Sequence, residues 1–218
     1  MQSENKLKFI LASQSPRRKE LIGWLDIPFE IIVPEIEESS DETDPEEIAK
    51  DIAQQKSQAV WKILESKAKP EDSYFPFVLS SDTIVCLGDK IYGKPNDEQD
   101  ARRILMELSG KEHMVVTGVS MSKYNPLTKQ REFRNFAVKT KVTFDQITKE
   151  ILDKYIASGE SQDKAGAYGI QGKGLTFISN VNGSYSNVVG FPLSHFVTEL
   201  KDFLHFQEDN RWSDFFIC

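Results

Sequence analysis

The stretch KFILASQSPRRKELIGWL, residues Lys8–Leu25, contains the transition that decides the fold. Its first five residues, KFILA, are mostly apolar and predict a buried strand. Ser15 and Pro16 then mark the start of a helix, because serine is a favoured N-cap and proline fits the first helical position. The inner face of this helix is predicted at Leu21, Ile22 and Leu25. A strand that leads directly into a helix is typical of an α/β fold.

The same junction predicts an anion site. The carboxyl end of the strand is followed by Ser13, Gln14 and Ser15. The free backbone N–H groups at the start of the helix point to the same place, so an anion can bind there. Arg17 and Arg18 occupy the first helical turn, where the helix dipole disfavours cations unless an anion compensates for them. Guanidinium groups also present forked donors that match phosphate oxygens. We therefore interpret the stretch as a phosphate-binding site, and a solvated first turn is the alternative.

Strand and helix patterns continue along the chain and indicate the same fold class. FEIIV (residues 29–33) predicts a second strand, and Asp44 and Pro45 begin a helix that runs to about Ala68. Further predicted elements are the strand-like run FVLSSDTIVCL (77–87), a turn at Gly88-Asp89, a helix capped by Asn96, two long β-rich runs between His113 and Phe144 joined by YNPLTKQ, a helix at 148–158 and a last helix at 192–206. We predict a mixed twisted sheet with flanking helices.

Size, charge and cysteine content limit the functional classes. The chain has 218 residues and a formal net charge of -7, so it lacks the overall positive field that draws proteins to nucleic acid or anionic membranes. Its two cysteines, Cys86 and Cys218, form neither a disulfide framework nor a metal-ligand spacing. No apolar segment approaches the roughly 20 residues that cross a bilayer. We expect a single-domain cytoplasmic protein that binds neither nucleic acid nor membrane.

Three charged residues are further candidates for the site, and two of them stand where apolar ones are expected. Asp82 interrupts a strand-like run, where a partly desolvated carboxylate would be useful for chemistry, although a turn-capping role is equally open. Lys56 lies on the predicted inner stripe of the second helix, and Lys94 is held extended by the proline that follows it. The apolar members of that stripe are predicted at Ile48, Ile52, Ala59 and Ile63. A single lysine of this kind more often extends to solvent than reacts, so the cations matter only if they share one pocket.

Two loops complete the candidate site. The acidic loop PEIEESSDET (34–43) offers Glu35, Glu37 and Glu38, one of which could join Asp82 in holding a hard cation such as Mg²⁺. The glycines of AGAYGIQGKG (165–174) allow close approach of backbone to a ligand, and Gln171 could read the edge of a base. A tight structural loop is the alternative for the second segment.

Seven motifs, taken in this order and at these spacings, resemble those of the Maf family of nucleotide pyrophosphatases. They are SQSPRRKELI (13–22), EIEES (35–39), SSDTIV (80–85), YGKP (92–95), LSG (108–110), DKAGAYGIQG (163–172) and NGSYSNVVGFPL (182–193). The resemblance implies one α/β domain over residues 1–206, with two lobes around a central cleft, usually dimeric. It also implies hydrolysis of nucleoside triphosphates to monophosphate and pyrophosphate with a divalent metal, Mg²⁺ or Mn²⁺. Such enzymes are thought to clear modified or surplus nucleotides and are linked to septum formation and cell-division arrest.

The resemblance also implies roles for particular residues. The phosphate-binding groups would be Ser13, Arg17, Arg18, Lys56 and Lys94, the catalytic carboxylate would be Asp82, and the metal ligands would be Asp82 and Glu38. Arg17, Thr83 and Gln171 match the branch that acts on dTTP and UTP. The sister branch, which favours 7-methyl-GTP, usually carries a different residue after the aspartate and an acid in place of the glutamine.

The expected reaction is attack of water on the α-phosphorus, with Asp82 either accepting the proton or holding the metal. Two alternatives from other classes are a non-catalytic nucleotide- or nucleic-acid-binding module and a partner-binding regulator of cell division. The last segment, QEDNRWSDFFIC (207–218), is predicted to be a loosely attached extension whose aromatic residues could instead dock on the body or on a partner. The segment YNPLTKQ (124–130), predicted as a long hairpin loop, and this extension depart from the usual pattern of bacterial Maf proteins. The oligomer geometry is therefore left open.

Overall fold

The computed structural model describes residues 6–67, 75–125 and 128–217. Its centre is a seven-stranded mixed sheet in the order β2-β1-β3-β5-β6-β7, with β4 paired to β3. The strands are β1 (Leu7–Leu11), β2 (Phe29–Ile31), β3 (Phe75–Leu87), β4 (Lys90–Tyr92), β5 (Glu112–Asn125), β6 (Gln130–Phe144) and β7 (Ile178–Asn182). β1 runs parallel to β2 and β3, and the remaining pairs are antiparallel. The predicted α/β class with a mixed sheet is confirmed.

Seven α-helices flank the sheet in the described part of the chain. They are α1 (Pro16–Gly23), α2 (Pro45–Lys67), α3 (Glu98–Leu108), α4 (Lys149–Ile156), α5 (Tyr185–Val189), α6 (Leu193–Phe203) and α7 (Trp212–Phe215). Short 3-10 helices span Ala165–Ala167 and Lys173–Phe177. None of the helices in the described ranges is long and apolar enough to cross a membrane.

Two main hydrophobic cores form the two predicted lobes. The first packs α1 and α6 against β1 and the beginning of β3, and its largest buried members include Phe9, Leu21, Phe77 and Phe196. The second packs α3 and α4 against the ends of β3 and β6 and the beginning of β5, and includes Leu105, Phe144, Tyr155 and Phe177. Ile178 and Val188 pack against both cores, so the lobes share a continuous apolar base.

An opening in the sheet separates β1 from β4. β1 pairs with β3 as far as Leu79, and β4 begins to pair with the same edge at Val85. Within the described residues, no strand pairs with this edge of β3 over residues 80–84. Asp82 and Thr83 therefore lie at an open edge, although both are paired on the other side with β5. The predicted strand-like run over 77–87 is confirmed, and β3 continues through Asp82, so the alternative that Asp82 caps a turn is wrong.

Helix α2 lies unusually close to the sheet beside this opening. A Cβ atom at Gly118 of β5 would lie 2.2 Å from the backbone carbonyl of Ala49, so only glycine permits this approach. The face that α2 buries differs from the predicted one, since Ile48, Ala59 and Ile63 are only partly buried. Its buried residues are Ala49, Ile52, Ala53, Lys56, Ser57, Val60 and Trp61. The small residue Ala49 stands where the helix backbone comes nearest to the sheet, and Ile52, Val60 and Trp61 are the large apolar side chains of this face.

Several predicted boundaries were wrong by a few residues. β2 ends at Ile31 rather than at residue 33, and the helix predicted to begin after Asn96 is capped by Asp97, whose carboxylate accepts a hydrogen bond from the N–H of Asp100 at 2.7 Å. The last predicted helix, 192–206, is Leu193–Phe203. Ser15 caps α1 as predicted, and the turn at Gly88 joins β3 to β4, with Gly88 at a φ of 59°.

The segment that follows α6 is attached to the body. Phe216 is only 3% exposed and belongs to the first core, where its ring centroid lies 5.3 Å from that of Phe9. Ile217 donates a backbone hydrogen bond to the carbonyl of Leu7 at 3.0 Å, beside the end of β1 that β2 does not cover. The expectation of a loose extension is wrong for residues 212–217, because their aromatic side chains dock on the body. Cys218 lies outside the described residues.

Candidate functional site

A pocket of about 1070 Å³ occupies the opening between β1 and β4. It is lined by all nine residues to which the resemblance assigns a role: Ser13, Arg17, Arg18, Glu38, Lys56, Asp82, Thr83, Lys94 and Gln171. Of the three glutamates offered by the acidic loop, Glu38 lines the pocket, whereas Glu35 and Glu37 do not. They come from the β1–α1 junction, the acidic loop, α2, β3, the segment after β4 and the loop before β7. The structure therefore brings together residues that are up to 158 positions apart, as Ser13 and Gln171 are.

Two carboxylates and one ammonium group form the centre of the pocket. The Nζ of Lys56 lies 2.7 Å from an oxygen of Asp82 and 2.9 Å from an oxygen of Glu38. The side chains of Lys56 and Asp82 are each only 10% exposed, so their charges are poorly screened by water. Lys56 reaches Asp82 because α2 passes close over Gly118, which is the register partner of Asp82 in β5.

The electrostatics of Glu38 reflect the surrounding cations. Burial opposes ionisation of Glu38, but the hydrogen bond from Lys56 and the charges of Lys56, Lys94 and Arg18 outweigh it and lower the pKa of this carboxyl. Glu38 is thus held as an anion at neutral pH, close to Asp82. The two groups provide hard oxygen donors on either side of one ammonium group.

This donor set fits Mg²⁺ or Mn²⁺ in one particular way. Among the described residues, no group of three or more histidines, cysteines and acids is placed to hold a metal ion. Mg²⁺ commonly uses only one or two carboxylates and takes its other ligands from water and substrate phosphates. Asp82 and Glu38 match this pattern, whereas a metal cage made only of protein groups does not fit.

The guanidinium of Arg18 is fixed by three oxygen atoms. Its Nε donates to the carbonyl of Gly190 at 2.9 Å, one terminal nitrogen donates to the hydroxyl of Thr83 at 3.1 Å, and the other lies 3.5 Å from the hydroxyl of Ser13. Burial lowers the pKa of Arg18, and the charge of Asp82 opposes that shift. An arginine remains charged even so, because its ordinary pKa exceeds 12. A fixed cation thus faces the pocket.

Arg17 faces the opposite wall and is paired there. Its Nη1 lies 2.9 Å from one carboxylate oxygen of Asp163, and the Nζ of Lys164 lies 2.5 Å from the other oxygen. The same ammonium donates to the carbonyl of Glu160 at 2.5 Å. The loop that carries Gln171 is thereby tied to α1, and Gln171 itself is exposed on the pocket wall.

Hydrogen bonds between β4 and α3 hold the strand that precedes Lys94. The carboxylate of Glu107 accepts hydrogen bonds from Lys90 at 2.5 Å, Tyr92 at 2.7 Å and Arg103 at 2.9 Å. These three bonds lower the pKa of Glu107 to about 2. β4 is thus anchored two residues before Lys94, whose exposed side chain lines the pocket.

Sequence reasoning missed several groups that build the site. Asp163 and Gly190 lie inside quoted motifs, but nothing in the pattern predicts that one pairs with Arg17 and the other with Arg18. Thr117 and Asn187, both fully buried, connect to Thr83 through hydrogen bonds described below. Asn187 could have been identified as a member of the site because it lies in the motif NGSYSNVVGFPL. Thr117 lies in a β-rich run, and nothing in the sequence around it points to the site.

The fold and the pocket define a class: an α/β protein with a cleft in which several arginines and lysines lie beside a pair of carboxylates. Residues 8–203 match the family model described as Maf-like protein, and the chain belongs to this family. A "dTTP/UTP pyrophosphatase" of Bacillus cereus is 44% identical over 203 residues, covering 93% of each chain. One of Bacillus cytotoxicus with the same name is 45% identical over 198 residues, covering 90% of this chain and 95% of the relative.

Proposed function

We propose that the protein hydrolyses nucleoside triphosphates to nucleoside monophosphate and pyrophosphate, with dTTP and UTP as the preferred substrates. The observation that carries the proposal is the contact of Asp82 and Glu38 with Lys56 in a pocket that Arg17, Arg18 and Lys94 also line. Four cations match a triphosphate, and the carboxylates offer a base and hard-cation ligands. The pyrophosphatase relatives support the same reaction.

In the proposed reaction, the oxygen of a water molecule bonds to the α-phosphorus while the bond from that phosphorus to the bridging oxygen breaks, and pyrophosphate leaves. Arg18 and Lys94 neutralise charge on the departing group, and Arg17 binds the triphosphate after exchanging Asp163 for a phosphate oxygen. Asp82 accepts the proton of the water or orients it. No covalent intermediate on the protein is required.

Members of this family generally depend on a divalent metal. We assign the holding of Mg²⁺ or Mn²⁺ to Asp82 and Glu38, after Lys56 has exchanged one or both carboxylates for phosphate. When bound, such an ion polarises phosphate oxygens and lowers the pKa of a water ligand. Lys56 holds the two carboxylates close together until then.

Base selection, assembly and location are further parts of the proposal. We assign Gln171 to the base edge, since a carboxamide both donates and accepts hydrogen bonds, and Thr83 to the substrate choice of the dTTP/UTP branch. We further propose a homodimer in the cytoplasm that binds neither nucleic acid nor membrane. A screen of pyrimidine, purine and modified triphosphates with each metal tests the selectivity, and a preference for GTP analogues would contradict the roles of Thr83 and Gln171.

The test of the reaction is the Asp82→Asn variant, which keeps the size of the side chain and removes its charge. We expect pyrophosphate release from UTP to fall roughly 100-fold or more, the usual contribution of a positioned proton acceptor. Asp89→Asn, in the exposed turn after β3, is the matched control and should leave turnover unchanged. Full turnover by the Asp82→Asn variant would favour a non-catalytic nucleotide-binding protein instead.

A further inference from the structure

The hydroxyl of Thr83 has no hydrogen-bonding capacity left for a substrate. It accepts from Arg18 at 3.1 Å, lies 2.9 Å from the hydroxyl of Thr117, and lies 3.3 Å from the carbonyl of Gly190. A hydroxyl has one proton to donate and two lone pairs. These three contacts engage that capacity, so Thr83 acts on a bound nucleotide through the group it holds, which is Arg18.

Thr117 extends this contact into the interior of the protein. It is the register partner of Thr83 in β5 and is 0% exposed. Its hydroxyl lies 3.4 Å from the backbone carbonyl of Asn187. The side-chain amide of Asn187 donates in turn to the carbonyl of Val115 at 3.1 Å and to the hydroxyl of Thr140 at 3.0 Å. With Thr83 donating to the carbonyl of Gly190, the single proton of Thr117 is donated to Thr83, and the carbonyl of Asn187 is a close neighbour of the Thr117 hydroxyl rather than its acceptor.

Two of the three supports of Arg18 lead to the same short segment. Asn187 lies in α5, and Gly190 caps that helix with a φ of 118°, a conformation that favours glycine. The carbonyl of Gly190 accepts directly from Nε of Arg18, and the Thr83–Thr117 pair leads from the terminal nitrogen of Arg18 to α5, where the Thr117 hydroxyl lies 3.4 Å from the carbonyl of Asn187. The guanidinium is thus held at two points, which fixes the direction of its remaining donors.

We propose that Thr117 is a positioning residue for the reaction: through Thr83 it orients the guanidinium of Arg18 towards the phosphates of the substrate. The inference rests on the proposed function and deepens it. It also explains how a residue beside Asp82 can affect substrate choice without touching the base, since a rotated Arg18 would shift the triphosphate and with it the nucleoside. Thr117 itself contacts no substrate.

The test combines Thr117→Val, which removes the hydroxyl and keeps the shape, with Thr117→Ser, which keeps the hydroxyl. We expect Thr117→Val to lower kcat/KM for UTP about tenfold, because Thr83 loses the hydroxyl that holds it and its hydrogen bond from the charged Arg18 is weakened. Thr117→Ser should restore it to within about twofold. In an Arg18→Ala background, Thr117→Val should have less than a twofold effect, because the group it positions is gone.

Ser122→Ala provides the matched control. Ser122 is a fully buried hydroxyl in the same strand, hydrogen-bonded to Ser57 and to Trp61 at 2.8 Å each, and it does not line the pocket. We expect this variant to lose as much thermal stability as Thr117→Val and to retain full turnover. A general loosening of the fold would lower turnover in both variants and would contradict the proposal.

Binding of inorganic pyrophosphate, measured by calorimetry on the same variants, separates this inference from the proposed function. If the wild-type protein turns over no triphosphate, the proposed function fails. The positioning role is still supported in that case if Thr117→Val weakens the affinity for pyrophosphate when Arg18 is present and has no effect in the Arg18→Ala background. Equal losses from Thr117→Val in both backgrounds, or unchanged turnover and unchanged pyrophosphate affinity, would overturn the positioning role.

Discussion

His113 is a buried titratable residue beneath the second lobe, and it makes stability depend on pH. It is 3% exposed, and its Nε2 lies 2.8 Å from the hydroxyl of Tyr168. Burial lowers the pKa of His113 to about 4. Between that pH and the ordinary value near 6.5, the unfolded chain binds a proton that the folded protein excludes. Stability from this group is therefore complete above pH 6.5 and decreases as the pH falls towards 4.

His113→Gln should remove this dependence while leaving an oxygen that can accept from Tyr168. Between pH 7.5 and pH 5.0, we expect the free energy of unfolding of the wild-type protein to fall by about 2 kcal/mol more than that of the variant. Urea denaturation at the two pH values measures the difference. His195→Gln, at an exposed histidine, should behave like the wild type. Equal losses in wild type and His113→Gln would show that another group causes the dependence.

At the level of single residues, charge was a better guide to the site than hydrogen-bonding hydroxyls were. Lys56 and Asp82 were recognisable because a charged side chain in an apolar run has a desolvation cost that needs a partner. Thr117 was not recognisable, since a buried threonine in a strand is common and its hydroxyl can be satisfied by many partners. The partner depends on strand register, which the sequence of one strand does not specify.

If Arg17 binds the triphosphate as proposed, the loop that carries Gln171 competes with substrate for its guanidinium. Burial opposes ionisation of Asp163, but hydrogen bonds from Lys164 and Arg17 outweigh it and lower the pKa of this carboxyl. A carboxylate thus holds the guanidinium that we assign to phosphate, and the two anions repel each other. Asp163→Asn should therefore lower KM for UTP about threefold, a modest change because Asp163 is largely exposed.

Steady-state kinetics at low and high salt measure this effect, which should shrink as salt screens the charges. Asp89→Asn removes one negative charge outside the pocket and controls for net charge alone. If KM rises in the Asp163→Asn variant, the ion pair orients Arg17 for substrate instead of competing with it. An unchanged KM would mean that substrate binds without displacing Asp163.

At the level of elements, the sequence predicted which segments form strands better than how they pair. Apolar runs and the Gly88 turn predicted β1, β3 and β4, because local propensity and turn chemistry decide them. The opening between β1 and β4 depends on where pairing stops, which is a property of three segments together. The inner face of α2 was misplaced for the same reason, since Gly118 in another element determines how near the helix comes.

At the scale of the whole molecule, the first and last residues that the structure describes meet at the start of β1, away from the pocket. Phe216 packs between Phe9 and Phe77, whose ring centroids lie 5.3 and 5.4 Å away, and Lys6 donates to the carbonyl of Ser213 at 2.9 Å. Ser13, by contrast, lies beyond the other end of β1. The last segment therefore stabilises the first lobe without reaching the site.

Phe216→Ala should destabilise the protein by about 3–5 kcal/mol, the usual cost of deleting a buried phenylalanine side chain, and leave KM for UTP unchanged below the melting transition. Chemical denaturation and kinetics on one preparation measure both. Phe215→Ala is the neighbouring control and should cost less, because Phe215 is only partly buried. A changed KM with unchanged stability would instead connect the segment to the pocket.

Because Phe216 is buried in the core, a role of the last segment in partner binding has to be tested without removing this side chain. Deleting residues 207–218 would remove Phe216 from the core, so loss of a cellular role in that truncation could follow from unfolding alone. Exposed side chains of the segment, such as Glu208 and Asp209, can be changed without opening the core. If those surface changes abolish a role in cell division while stability and hydrolysis persist, the segment binds a partner; if only Phe216→Ala does so, its contribution is to the fold.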